Sequence, residues 1–189
     1  MSHNMAAKKV DYPIRKKEWA PSLIPGPLVL ISTCDQAKEP NVAPKSWLQM
    51  AAFDPPTLMF SGSKGNTTEK NILATGSFAV NLVDGSMADE VYGCIAWSGR
   101  ERIEKMGITL SAAKKIDAPL VDRCPAHLEC VLQGTHEIGS GFIVFGRIVA
   151  ASIREDILAA PPKDRYRLLD PVLFLENGLY SRVRDAIRT

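Results

Sequence analysis

Residues 126–153 read AHLECVLQGTHEIGSGFIVFGRIVAASI. β-branched and aromatic side chains fill both halves, and Gly139-Ser140-Gly141 interrupts them at the centre. Two long runs of this kind, joined through turn residues, predict a hairpin of antiparallel strands. A pair of this length presents exposed edges unless other strands cover it.

Further strands are found on working toward the N-terminus. PLVLISTCD (27–35) is a strong strand signal, entered through Pro25-Gly26-Pro27. After the turn QAKEP, NVAPKSWLQMAAF (41–53) reads as a second extended run, with Pro44 marking an edge, a bulge or an irregular segment. Asp54-Pro55-Pro56 breaks the chain before a third strand, TLMFSGS (57–63). TEKNILATG (68–76) is a short helix ending near Gly76, and SFAVNLV (77–83) is a fourth strand. Residues 84–123 hold helix-like pieces, SMADEVYGCIA and GRERIEKMG, and the tail DPVLFLENGLYSRV is a strand, an Asn-Gly turn and a strand. Six or seven strands with hairpin-like links favour a closed barrel, and the lack of regular βαβ alternation disfavours a Rossmann fold. The expected class is mainly β: a six-stranded antiparallel barrel with short helices.

The chain has 189 residues, 46% of them hydrophobic and 23% charged, which suits one compact domain. We expect a basic arm over 1–22, carrying Lys8, Lys9, Arg15, Lys16 and Lys17, and a single domain over 23–189. A net charge of +2 gives no support to a nucleic-acid partner. Cys34, Cys94, Cys124 and Cys130 form no C-x-x-C pair and read as reduced, mostly buried thiols. With neither a signal-peptide pattern nor a membrane-length apolar run, the expectation is a cytoplasmic protein without a membrane partner.

Two segments attract attention as candidate sites. SGSKGNTTEKN (61–71) crowds glycine, hydroxyl, amide and lysine side chains into the join between a strand and a helix. Asn66 and Glu69 have capping-box spacing, so one reading is a well-capped helix start. The other is an anion site, in which helix-start N–H groups are joined by Thr67, Thr68 and Lys70. Composition leaves these two readings even. In NVAPKSWLQ, Asn41, Ser46 and Gln49 interrupt an apolar run beside Trp47, which fits a surface edge strand or a rim for a planar heterocycle. His3, His127 and His136 have no metal-ligand spacing, and neither a nucleophile elbow nor a dinucleotide fingerprint occurs. His136-Glu137 is an acid/base pair that nothing in the sequence orients. Side chains alone thus supply no catalytic apparatus, which leaves a binding module or an enzyme whose cofactor does the chemistry.

The order PGPLVLISTCD, PNVAPKSW, DPPTLMFSGS and NTTEKNILATGSFAVNLV, followed by SGRERIEKMGIT, CPAHLEC and FGRIV, resembles the flavin reductase-like family of FMN-binding split barrels. The resemblance spans about Pro25 to Tyr180 and implies a six-stranded Greek-key split barrel that forms a homodimer, with FMN near the subunit interface. It further implies that Asn41, Ala43, Pro44, Ser46 and Trp47 lie along the isoalloxazine ring. Ser61 and Ser63 correspond to the strand end near the cofactor, Thr67, Thr68 and Asn71 to the phosphate-side turn and helix start, and Lys70 to a basic position there. Many members carry Gly-Asp-His at the late hairpin, where this chain has Gly139, Ser140 and Gly141. The resemblance implies NADH or NADPH as hydride donor, with a redox protein or a monooxygenase as a further partner, while the departure from Gly-Asp-His counts against the nicotinamide and toward an electron carrier. The alternatives are a flavoredoxin-like electron carrier reduced by a protein, and a cofactor-free interaction module.

Overall fold

The computed structural model describes residues 8–12, 14, 24–176 and 178–183. Arg15, Lys16 and Lys17 of the expected basic arm lie outside the described residues, whereas Lys8 and Lys9 are exposed. In chain order the strands are β1 Gly26–Pro27, β2 Val29–Cys34, β3 Pro40–Lys45, β4 Leu48–Phe53, β5 Pro56–Ser63, β6 Ser77–Leu82, β7 Leu110–Ser111, β8 Leu120–Val121, β9 Ala126–Ile138, β10 Gly141–Ile153, β11 Val172–Glu176 and β12 Leu179–Arg182. The α-helices are α1 Thr67–Thr75, α2 Ala88–Gly93, α3 Gly99–Lys105, α4 Glu155–Ala159 and α5 Arg165–Leu169, and a 3-10 turn covers Cys94–Ala96.

β9 and β10 form the predicted hairpin, paired from Gly141↔Ile138 to Ile153↔Ala126. They sit at the centre of a seven-stranded antiparallel sheet of order β3-β2-β6-β9-β10-β5-β4. The hairpin separates β5 from β6, which gives the Greek-key connection. The two edge strands, β3 and β4, are joined only by Ser46 and Trp47. Laid flat, seven strands would put these edges about 29 Å apart at about 4.8 Å per strand. The link from residue 45 to residue 48 spans at most about 11 Å. The sheet must therefore curl until its edges meet, and the Ser61 amide, which donates to the Trp47 carbonyl at 3.0 Å, extends the β4–β5 ladder up to the crossover.

The mainly β barrel class expected from the sequence holds, with one difference of count. The run 41–53 is not one strand but two, β3 and β4, so the main sheet has seven strands rather than six. Closure itself imposes the break at Ser46-Trp47.

β2 is buried on both faces. Val29 and Ile31 point into the barrel with Leu58, Phe60, Phe78 and Val80, while Leu30 joins an outer cluster with Val42, Met87, Val91 and Met106. Ile72 of α1 belongs to the inner cluster. Phe60 and Phe78 meet edge to face at 5.2 Å, and Gly146 leaves room for the Phe78 ring, since a Cβ there would lie 2.3 Å from it. The outer cluster is roofed by the helical segment and by a separate sheet of order β1-β11-β12. All four cysteines are buried and unbridged.

Candidate functional site

A cleft of about 470 Å³ lies between β3, the start of α1 and the roof. β3 and the residue after it supply the floor: Asn41, Ala43, Pro44, Lys45 and Ser46. Gly65, Asn66, Thr67 and Thr68 close one end, and Leu28, Val91, Ile95, Ser98, Phe174 and Tyr180 form the facing wall, with Arg102 among them.

The closed end is built by helix capping. Asn66 is the N-cap of α1, in the extended region, and its side-chain oxygen accepts the Glu69 amide at 2.9 Å. Glu69 returns its carboxylate to the amide of Gly65, not to that of Asn66 as an ordinary capping box would. The amides of Thr67 and Thr68, in the first helical turn, meet no acceptor among the described residues. Behind them lies a buried polar network. Thr33 Oγ1 accepts from Asn71 Nδ2 at 3.1 Å and from Asn41 Nδ2 at 3.3 Å, and Asn41 Nδ2 also reaches Thr68 Oγ1 at 3.3 Å. β2, β3 and α1 are thereby fixed to one another by side chains that are all under 7% exposed.

The electrostatics of the cleft are one-sided. Lys45 is half-buried, and its ammonium lies 3.6 Å from the point a Gly62 Cβ would occupy, a point also 3.5 Å from Asn66 Nδ2. Burial, with the nearby positive charge of Arg102 second, holds its pKa below the ordinary lysine value. Arg102 is likewise pulled below its usual value, chiefly by burial. It donates from Nε to the Cys94 carbonyl at 2.9 Å, from Nη1 to the Val42 carbonyl at 2.6 Å, and from Nη2 to the Trp97 carbonyl. Among the described residues neither cation has a carboxylate partner. Lys45, held at the cost of desolvation beside open helix-start amides, makes with them a receptor for an anion, and Arg102 adds a second positive charge on the facing wall.

The sequence-predicted residues divide into three groups. Asn41, Ala43, Pro44, Ser46, Thr67 and Thr68 line the cleft. Trp47 and Ser61 instead line a second, more apolar hollow of about 370 Å³ on the far side of the crossover, which shares Ser46 with the first. Ser63 and Lys70 are exposed and line neither, and Asn71 is buried behind the cleft, where it holds Thr33. Gln49 is exposed in the second hollow. His136 and Glu137 are exposed on the hairpin, with Glu137 paired to Lys64 at 2.5 Å. Sequence reasoning missed Lys45, Arg102, Thr33, Phe174 and Tyr180. Lys45 lay inside the NVAPKSW segment already singled out; the others come together only through the fold. Among the described residues no cluster suits a metal ion, and no helix is long and apolar enough to cross a membrane.

A barrel sealed by a two-residue crossover thus carries an anion-ready cleft beside its seam. The chain belongs to the family described as flavin reductase like domain, which it matches over residues 22–181, and so falls among the flavin-linked oxidoreductases. Nitrilotriacetate monooxygenase component B from Bacillus cereus superposes with a TM-score of 0.84 at 21% identity, covering 100% of both chains. The 2-nitrobenzoate 2-nitroreductase NbaA of Pseudomonas fluorescens is 27% identical with a TM-score of 0.77, covering 87% of this chain and 84% of that one. Flavoredoxin from Methanosarcina acetivorans is 24% identical with a TM-score of 0.79, covering 97% and 95%.

Proposed function

We propose that the cleft binds FMN and that the protein is an FMN-dependent oxidoreductase fed by NADH or NADPH, passing electrons to free flavin or to another acceptor. The observation that carries this reading is the Lys45 ammonium, without a carboxylate partner among the described residues, beside the open amides of Thr67 and Thr68. A phosphomonoester brings nearly two negative charges and several acceptor oxygens, which is what such an end lacks. FMN, when bound, supplies the hydride and electron chemistry. The chain's part is to hold and orient it. The amides and hydroxyls of Thr67 and Thr68 and the Lys45 ammonium take the phosphate, while Ala43, Pro44 and Ser46 give a low floor for the ring. The Thr33–Asn41–Thr68–Asn71 network keeps floor and phosphate end in register.

The test is an absorption spectrum of the purified protein, before and after addition of FMN and again after anaerobic NADH or NADPH. A flavin band that is retained through gel filtration and bleached by a nucleotide is the expected result. Protein that stays colourless after FMN would retire the reading in favour of a cofactor-free module.

A second reading, an electron carrier reduced by a protein, draws on the Gly139-Ser140-Gly141 turn. That turn offers no titratable group, and the Ser140 carbonyl is occupied by the Lys64 amide at 3.3 Å. Stopped-flow mixing separates the two, because rapid bleaching by either nucleotide excludes a pure carrier. For a homodimer the supporting surface is the edge strand β4 with its flank, where Trp47, Met50 and Phe53 are 57%, 44% and 91% exposed. Light scattering that returned a monomer at micromolar concentration would remove it. A monooxygenase as electron acceptor is the matching proposal for a larger partner.

A further inference from the structure

The wall of the cleft facing away from α1 has its own chemistry. Leu28, Val91, Ile95 and Phe174 make it apolar. Phe174 meets Tyr180 edge to face at 5.7 Å, and Tyr180 meets Tyr92 in the same way at 6.0 Å, so an aromatic stack backs the wall. Three polar groups on it are uncommitted among the described residues. A guanidinium has five N–H donors, and Arg102 uses three of them on carbonyls, leaving one on each Nη. Ser98 occupies the N-cap position of α3 with extended dihedrals, yet its hydroxyl makes no cap hydrogen bond. The Tyr180 hydroxyl bonds to none of the described residues. Burial pushes Tyr180 up to about 12, so it remains a donor at physiological pH.

The uncompensated charge identifies the ligand. Arg102 has two N–H donors to spare and no carboxylate partner among the described residues, so the wall carries an unbalanced positive charge. A carboxamide cannot balance that charge, whereas a carboxylate can, and it accepts from the spare guanidinium N–H groups and from the two hydroxyls. The apolar stack calls for a flat ring. We propose that this corner, formed by Arg102, Ser98, Tyr180 and Phe174, is a binding subsite for a planar aromatic carboxylate. It deepens the flavin reading, on which it rests only in leaving the α1 end to the phosphate.

The test titrates benzoate and its uncharged isostere benzamide into the FMN-loaded protein, following the flavin absorption band, and into the FMN-free protein by calorimetry. Benzoate is expected to bind at least tenfold more tightly than benzamide in both. Arg102→Lys, which keeps the charge but loses the planar fork, is expected to weaken benzoate at least tenfold with benzamide unchanged. Ser98→Ala, which leaves the packing of α3 intact, is expected to weaken benzoate severalfold and serves if the Arg102 variant fails to fold. Equal binding of the two probes, or no saturable binding of benzoate, overturns the proposal. So does competition, in which benzoate raises the apparent Kd for FMN in proportion to its concentration, because the corner would then belong to the flavin. Protein that binds benzoate selectively but never takes up FMN would sink the flavin reading and leave this subsite standing.

Discussion

Replacing Lys45 with methionine removes the charge at the α1 end of the cleft while keeping most of the side chain's volume. In the free protein the ammonium is desolvated, faces Arg102 and has no counter-ion among the described residues. A charge-assisted hydrogen bond to a phosphate contributes about 1.5–3 kcal/mol. At about 1.4 kcal/mol per decade, FMN affinity in Lys45→Met should fall roughly 10- to 150-fold. The pH dependence has a definite sign. The folded pKa lies below the ordinary lysine value of 10.5, so between the two the unfolded chain holds a proton that the folded chain has released. Stability of the free protein therefore rises with pH across that window, and the desolvation penalty is fully present below the folded pKa. FMN binding runs the other way: it is strongest while Lys45 is protonated and declines as pH rises through the folded value. Fluorescence titration of FMN from neutral to alkaline pH should show this decline in the native protein and a flatter, weaker profile in the variant. FMN-free Lys45→Met should also melt higher than the native protein near neutrality, the gap closing at alkaline pH. Native affinity in the variant, or an unchanged pH profile, would refute the assignment of Lys45.

Thr68→Ala takes one of two acceptors from the buried Asn41 amide. It should lower stability by about 1–2 kcal/mol in urea denaturation and weaken FMN binding, with Thr68→Ser recovering part of both. Lys70→Glu, at an exposed position outside the cleft, should weaken FMN modestly, by about 0.5 kcal/mol or less, and only at low salt. A Cβ at Gly26 would sit 1.9 Å from the Ser46 carbonyl oxygen; Gly26→Ala should therefore displace the crossover and cost about 1–3 kcal/mol in stability along with FMN affinity. Cys124 and Cys130 are pushed up to about 12 by burial, so thiol reagents at mildly alkaline pH should label them only after denaturation.

Strand periodicity made the β9–β10 hairpin, β2 and β6 legible because each is long, β-branched and bounded by turn residues. The capped start of α1 was equally visible in Asn66 and Glu69, and its end in Gly76, which adopts φ 71°. The break inside 41–53 was not, since nothing local in NVAPKSWLQ says that its two halves must reach opposite edges of one sheet. Pro44 left an edge, a bulge or an irregular segment open, and β3 is an edge. The partition of site residues was hidden for a related reason. Lys45 and Lys70 are alike as letters, and only burial distinguishes the lysine that lines the cleft from the one in solvent. Arg102, Phe174 and Tyr180 lie tens of residues from β3 in the chain, so their meeting is a property of the roof rather than of any motif.

The crossover at Ser46 and Trp47 divides the molecule into parts that can and cannot be varied independently. Because Ser46 belongs both to the crossover that seals the barrel and to the floor of the cleft, lengthening or reshaping this segment to suit a new ligand would unzip the seam. The roof is under no such constraint, since β11, β12 and the helices from α2 to α3 touch the ligand space without carrying the closure. Redesign of what the protein reacts with is therefore best directed at the roof, leaving the floor as the inherited part of the machine.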